Sequence, residues 1–167
     1  EKFSLENIGR SAGIFNMEKL LALNADHIKA TPPGKLARHL LPFLRERNLN
    51  AEEGPYIESI IETLATRSKT LQEMAEGAMF YFQEEIEYEE TAAKKFLTPS
   101  VLEPLNLLLM ELNSLEHLSE KNLENAFIKI MEQTGLKLGK IAQPVRVALT
   151  GKTVSPGIFE MIHALGK

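Results

Sequence analysis

Apolar residues recur at helical spacing along most of the chain, and no stretch shows the alternation of a β-strand. The clearest series, at i, i+3, i+4 and i+7, is Ile57, Ile60, Ile61 and Leu64. Such a stripe belongs to an amphipathic helix, which must bury that face against other elements. The pattern predicts an all-α fold of about eight helices in two small helical subdomains.

Capping signals divide this pattern into separate helices. Thr70 and Glu73 form a capping-box sequence, in which each side chain accepts a hydrogen bond from the other residue's backbone N–H. Pro42 predicts a kink or break within its helix. The predicted helix starts are Asn16, Thr31-Pro32, Thr70, Pro99 and Ser119.

The helix that starts at Thr70 continues into an acidic run. Its methionines and aromatics are interpreted as core; they are Met74, Met79, Phe80, Tyr81 and Phe82. Seven acids and no base lie between Glu73 and Glu90. No histidine or second cluster matches them, so a solvated face or linker is favoured over a carboxylate metal site. The run should repel a polyanion, and any nucleic acid is expected to lie away from it.

We place a subdomain junction between residues 85 and 91. This gives a first helical subdomain at 1–88 and a second at 89–167. The chain begins at Glu1 and stops shortly after its last predicted helix, so we expect a fragment of a longer protein.

The C-terminal stretch differs most from the rest of the chain. It carries five bases, Lys137, Lys140, Arg146, Lys152 and Lys167, against the single acid Glu160, whereas the whole chain has net charge −4. On a helical wheel that starts at Ile141, the apolar residues share its face, while Gln143, Arg146 and Thr150 point the opposite way. One face is therefore predicted to pack and the other to offer hydrogen-bond donors.

A second helix is predicted to follow the stop at Gly151. Ser155 is its expected cap and Pro156 its first helical residue. Its N-terminus would favour an acceptor-rich ligand, because the first N–H groups of a helix lack partners. On this physics alone, an ordinary surface helical hairpin is the favoured interpretation.

Composition excludes several classes of function. The absence of cysteine rules out disulfides, thiolate chemistry and sulfur-ligated metals. The four histidines are never close together, and no phosphate-binding glycine motif or nucleophile elbow occurs. No apolar run is long enough for a membrane span. We expect a cytoplasmic monomer with no metal site, no cofactor and no catalytic residues.

Three blocks resemble the C-terminal anticodon-binding region of bacterial glutamyl-tRNA synthetases, class I aminoacyl-tRNA synthetases. The strongest is GKIAQPVRVALTGKTVSPGIFEMIHALGK at residues 139–167. The others are FSLENIGRSAGIFNMEKLLALN at 3–24 and RSKTLQEMA at 67–75. The resemblance implies a parent ligase that attaches glutamate to tRNA with ATP and Mg²⁺. It also implies that this inactive portion reads the anticodon loop of tRNA(Glu) beside the parent's catalytic domain.

The resemblance also carries over site residues. The anticodon-contacting positions of the family match Arg67, Arg146, Ser155, Pro156 and Ile158. Ser155 stands where the family often has threonine and Ile158 where leucine is common, so a hydroxyl and an aliphatic surface are kept. Lys137, Lys140 and Lys152 are expected to attract the RNA backbone without reading sequence.

One alternative from another class stays open. The chain would then be a helical protein-interaction module whose basic C-terminal hairpin binds an acidic partner. Such a module should show little preference among anticodon sequences. A hydrolase or metalloenzyme has no residue constellation in its favour.

Overall fold

The computed structural model of this chain describes residues 15–51, 56–83 and 85–166. Within these ranges the chain forms nine α-helices, one 3-10 turn and no strand, which confirms the all-α prediction. The 3-10 turn, Pro99–Val101, leads directly into the sixth α-helix. The α-helices are α1 Met17–Ala30, α2 Pro33–Arg45, α3 Ile57–Leu64, α4 Leu71–Phe82, α5 Glu90–Phe96, α6 Leu102–Ser114, α7 Glu120–Thr134, α8 Leu138–Thr150 and α9 Ile158–Leu165.

Three of the predicted helix starts are confirmed by side-chain caps. The capping bonds run from Lys19 N–H to Asn16 Oδ1 (3.0 Å), from Glu73 N–H to Thr70 Oγ1 (3.1 Å) and from Asn122 N–H to Ser119 Oγ (3.3 Å). The second bond of the capping box differs from the prediction. The Glu73 carboxylate accepts from Lys69 N–H, at 2.7 Å, rather than from Thr70 N–H. Each cap satisfies an N–H group that the helix itself leaves unpaired.

The predicted start of α2 is wrong, and of the kink or break predicted at Pro42 the break is wrong. The helix begins at Pro33, and Thr31 instead closes α1 by donating its hydroxyl to the His27 carbonyl at 2.6 Å. Pro42 does not end the helix, which continues to Arg45. Pro42 lies on the exposed side, so the packing of the opposite face can hold this last turn together.

All the helices described except α5 contribute residues to one hydrophobic core. Helices α2, α3 and α4 pack on one another, α7 packs on α6 and α8, and α9 contacts both α3 and α7. A buried hydrogen bond joins α3 to α4, since Tyr81 donates to Thr63 Oγ1 (3.0 Å), whose own hydrogen goes to the Ile60 carbonyl. Burial raises the pKa of Tyr81 to about 12, which keeps this donor protonated. The division at residues 88 and 89 stays a prediction.

From Ile141 to Thr150, helix α8 has no exposed residue, which differs from the predicted two-faced helix. Six of its thirteen residues are buried, because α5, α6 and α7 all contact it. Thr150, predicted to face outward, is buried and donates its hydroxyl to the Arg146 carbonyl at 2.8 Å. None of the helices described is long and apolar enough to cross a membrane.

Candidate nucleic-acid interface

The turn between α8 and α9 is held together by Arg146. Its Nε donates to Ser155 Oγ at 2.8 Å, and its Nη2 reaches the Pro156 carbonyl at 3.4 Å. Ser155 in turn donates to the Pro156 carbonyl at 2.9 Å. A guanidinium has five N–H donors, so Arg146 keeps donors for a ligand while it braces the turn.

These contacts explain why the predicted start of α9 is wrong. Because the Ser155 hydroxyl is engaged with Arg146, it does not cap the helix. The helix begins at Ile158 instead, and Gly157 precedes it. The Gly157 N–H is satisfied by the Glu160 carboxylate at 3.2 Å.

Arg67 lies close enough to affect Arg146 electrostatically. The pKa of Arg146 is lowered, first by partial burial of the guanidinium and then by the positive charge of Arg67. Both charges come from residues far apart in sequence, one before α4 and the other within α8. The fold thus creates a local excess of positive charge in a chain that is negative overall.

A cavity of about 650 Å³ opens beside these residues. It brings together four of the predicted site residues: Arg67, Lys152, Ser155 and Pro156. The rest of its lining comes from the end of α3, from α4, from the segment after α4 and from the α8–α9 turn. Those residues are Leu64, Ser68, Glu73, Glu76, Gly77, Met79, Phe80, Gln83, Ile86, Glu87, Thr150 and Val154.

Part of the acidic run lines this cavity, although we expected nucleic acid to lie away from the run. Glu73, Glu76 and Glu87 all line it. The reason is that α4 is not a linker but one wall of the cavity. Two of the acids are already engaged: Glu73 with the Lys69 N–H, and Glu76 with the Arg47 guanidinium at 3.2 Å.

The segment after α4 also fixes the α8–α9 turn. Glu89 N–H donates to the Gly151 carbonyl at 2.9 Å, and the Tyr88 hydroxyl donates to the Ala148 carbonyl at 3.0 Å. Gly151 has φ +71°, and a Cβ there would collide with the Glu87 carbonyl oxygen. Only glycine suits this position, on both conformational and steric grounds.

Pro156 lines the cavity with a buried side chain, whereas Ile158, Lys137 and Lys140 are outside its lining. Ile158 is 93% buried, and Pro156 is also buried, so neither presents a broad apolar surface outward. Lys137 and Lys140 are exposed near the other end of α8. Lys140 is therefore about 15 Å along the helix axis from Thr150.

A comparison of the sequence with protein-family models shows the family of this chain. The family described as "Anticodon binding domain" matches residues 35–167. The chain belongs to the anticodon-binding domain family. This confirms the resemblance on which the site residues were predicted, and the comparisons give no support to the protein-interaction module.

Relatives of this anticodon-binding domain carry the name glutamate–tRNA ligase. It is 55% identical over its whole length to the protein from Desulfosudis oleivorans and 50% identical to that from Geotalea uraniireducens, covering 36% of each. The chain thus spans about a third of these relatives. The crystal structure of a glutamate tRNA ligase from Elizabethkingia meningosepticum shares its fold, with TM-score 0.83 and 20% identity over 99% of this chain and 32% of that one.

One polar group of the anticodon-binding domain was not predicted as a site residue. The buried Gln143 Oε1 has no hydrogen-bond partner in the part of the chain that the structure describes. Gln143 lies three residues before Arg146 on the same helix face. This spacing is the sequence signal that could have added Gln143 to the predicted site. Across the described ranges, no group of three or more histidines and acids is placed to hold a metal ion.

Proposed function

We propose that this chain reads the anticodon of a glutamate-accepting tRNA as the anticodon-binding part of a glutamate–tRNA ligase. The observation that carries the proposal is the meeting of Arg67, Lys152 and Ser155 at one cavity, with Arg146 bonded to Ser155. Loop bases are recognised when they are splayed out and hydrogen-bonded on their edges, which needs a few fixed donors rather than a strongly basic domain.

The contacts suggest a role for each predicted residue. Arg67 and Arg146 supply donors to base edges or phosphate. Ser155, whose only hydroxyl hydrogen goes to the Pro156 carbonyl, offers its remaining oxygen lone pair as an acceptor. Pro156 and Ile158, being buried, maintain the shape of the turn that presents Ser155. Lys137, Lys140 and Lys152 attract the RNA backbone. Their spread, from just before α8 to just after it, suits an extended loop rather than a single phosphate.

The ligase activity itself belongs to the whole protein. In this proposal ATP, Mg²⁺ and the catalytic residues are provided by the parent's catalytic domain, since this chain spans only about a third of its relatives. The specific partner is tRNA(Glu). The cytoplasmic location and the monomeric state stay predictions.

Truncation of Arg146 provides the first test. Arg146→Ala should weaken binding of a glutamate-tRNA anticodon-arm RNA by about 1–3 kcal/mol, the range for one good base contact. Binding is measured at fixed salt against arms with altered anticodon bases, with the exposed Arg38→Ala on α2 as a matched control. Because Arg146 also braces the turn, the decisive quantity is the preference for the matched arm, which should fall together with the affinity.

Two outcomes would contradict the proposal. Equal binding of matched and altered arms by the unmodified chain would exclude anticodon reading. An unchanged affinity and preference in Arg146→Ala would remove Arg146 from the site.

A further inference from the structure

The cavity extends well beyond the predicted anticodon residues, along one face of α4. Glu73, Glu76, Gly77, Phe80 and Gln83 line it, and their spacing of three, one, three and three residues places them on a single helix face. Ten residues separate the first from the last, which corresponds to about 15 Å along the axis. The cavity is thus a groove, with Arg67 and Ser68 before the start of α4 and Gln83 just after its end.

The middle of this groove is lined by Leu64, Gly77 and Phe80 and is therefore apolar. Gly77 has no side chain there, and the α4 backbone approaches α3 so closely that an added Cβ would lie 3.2 Å from Leu64 Cδ2. One turn further along α4, the half-buried Phe80 ring lines the groove. Its centroid lies 4.0 Å from the Tyr81 ring, with the two planes tilted by 32°. Phe80, interpreted from sequence as core, therefore has a supported ring next to an open space.

Charge determines which part of a ligand fits. Glu87 and Gln83 line the groove beyond Phe80, and they offer carboxylate and amide oxygens. A phosphate would be repelled from this end, whereas the amino group on the edge of a nucleobase would find acceptors. Phosphate groups are favoured near Arg67 and Lys152, which line the same cavity.

We propose that Phe80 is a stacking platform for one unpaired nucleobase of the RNA loop, with the amino edge of that base directed to Gln83 and Glu87. The proposal rests on the proposed function, because the base enters from the strand held by Arg67 and Ser155. Stacking on an aromatic ring accepts any base, so Phe80 contributes affinity, while the acceptors favour a base that carries an amino group.

Two leucine substitutions on the same helix test the stacking. Phe80→Leu keeps apolar volume but removes the flat ring, and it should weaken binding of the anticodon-arm RNA about tenfold. Phe82→Leu is the matched control, since Phe82 is half-buried against the core and does not line the groove. For the unmodified chain, replacing the stacked loop base by an abasic nucleotide should cause a similar loss. Phe80→Leu should add nothing further to that loss.

A fluorescence measurement gives an independent readout. The chain has no tryptophan, so Phe80→Trp introduces a single reporter that preserves a stacking surface. Its emission should be quenched when the anticodon arm binds and should stay unquenched when the abasic arm binds. Phe82→Trp should show no change with either RNA.

The outcomes separate this subsite from the proposed function. If Phe80→Leu binds the arm as well as the unmodified chain does, while Arg146→Ala is weakened, the stacking platform is excluded and anticodon reading stands. An unquenched Phe80→Trp with bound RNA would exclude it equally. If the unmodified chain does not distinguish matched from altered anticodons, the proposed function fails and the subsite fails with it.

Discussion

The two arginines of the candidate site, Arg67 and Arg146, differ in burial and in hydrogen bonding. Arg146 is half-buried and tied to Ser155 and Pro156, whereas Arg67 is exposed. Arginine stays protonated at neutral pH even though the pKa of Arg146 is lowered, so two like charges face each other in the free chain. An anionic or acceptor-rich ligand bound beside both guanidinium groups would relieve that repulsion.

Arg67→Ala should therefore separate stability from recognition. We expect the free energy of unfolding to stay the same or to rise by a few tenths of a kcal/mol, because a repulsive contact is removed and exposed charges interact weakly. Discrimination at the first anticodon base should fall more than the affinity averaged over all arms. Urea unfolding and binding to arms varied at that base measure the two effects, with Arg38→Ala as control. An equal loss for every arm would make Arg67 a phosphate contact.

At the scale of elements, the segment after α4 and the α8–α9 turn act as one unit. One hydrogen bond, from Glu89 N–H to the Gly151 carbonyl, joins them directly, and a second ties Tyr88 to Ala148 within α8. Gly151 also allows the Glu87 carbonyl to approach the turn. The turn carries Lys152 and Ser155, so its position sets the geometry of the cavity. A change in this contact should reach the site without any direct loss of a site residue.

Two glycine substitutions isolate that contact. Gly135 and Gly151 both follow a helix in the left-handed region, with φ +70° and +71°, but an added Cβ meets nothing within 4 Å at Gly135. Gly135→Ala should cost about 1–2 kcal/mol in unfolding free energy for the backbone alone. Gly151→Ala should lower the unfolding free energy by at least about twice as much, since the Glu87 carbonyl in the segment after α4 must also move. Equal costs in urea unfolding would show that the close approach adds nothing.

The sequence predicts those features of the helices that depend on neighbours along the chain. The caps Asn16, Thr70 and Ser119 depend on a side chain and an N–H three residues away, and all three are confirmed. The burial of Thr150 was not predictable, because it depends on helices that pack around α8. The predicted start of α9 is wrong for the same reason. Ser155 is bonded to Arg146, a tertiary partner, and therefore does not cap the helix.

At the scale of the whole molecule, the fold brings opposite charges to one cavity. The sequence separates an acidic middle from a basic end, and this suggested that a polyanion would avoid the first. Packing instead places α4 beside the turn, so the groove has bases and acids in its lining. The resemblance predicted Arg67 and Ser155 as site residues. That both line one cavity, and that Phe80 lines it too, could be seen only in the folded structure.

This mixed charge predicts a shallow salt dependence of RNA binding. If Lys137, Lys140 and Lys152 are the backbone contacts, log K against log salt should have a slope of roughly −2, at about 0.7 for each phosphate neutralised on a single strand. Lys152→Gln should reduce the slope by about 0.7 and leave the preference for the matched anticodon unchanged, because a phosphate contact carries no sequence information. Lys35→Gln, on the exposed side of α2, should change neither quantity. A loss of preference at constant slope would instead place Lys152 among the groups that contact bases.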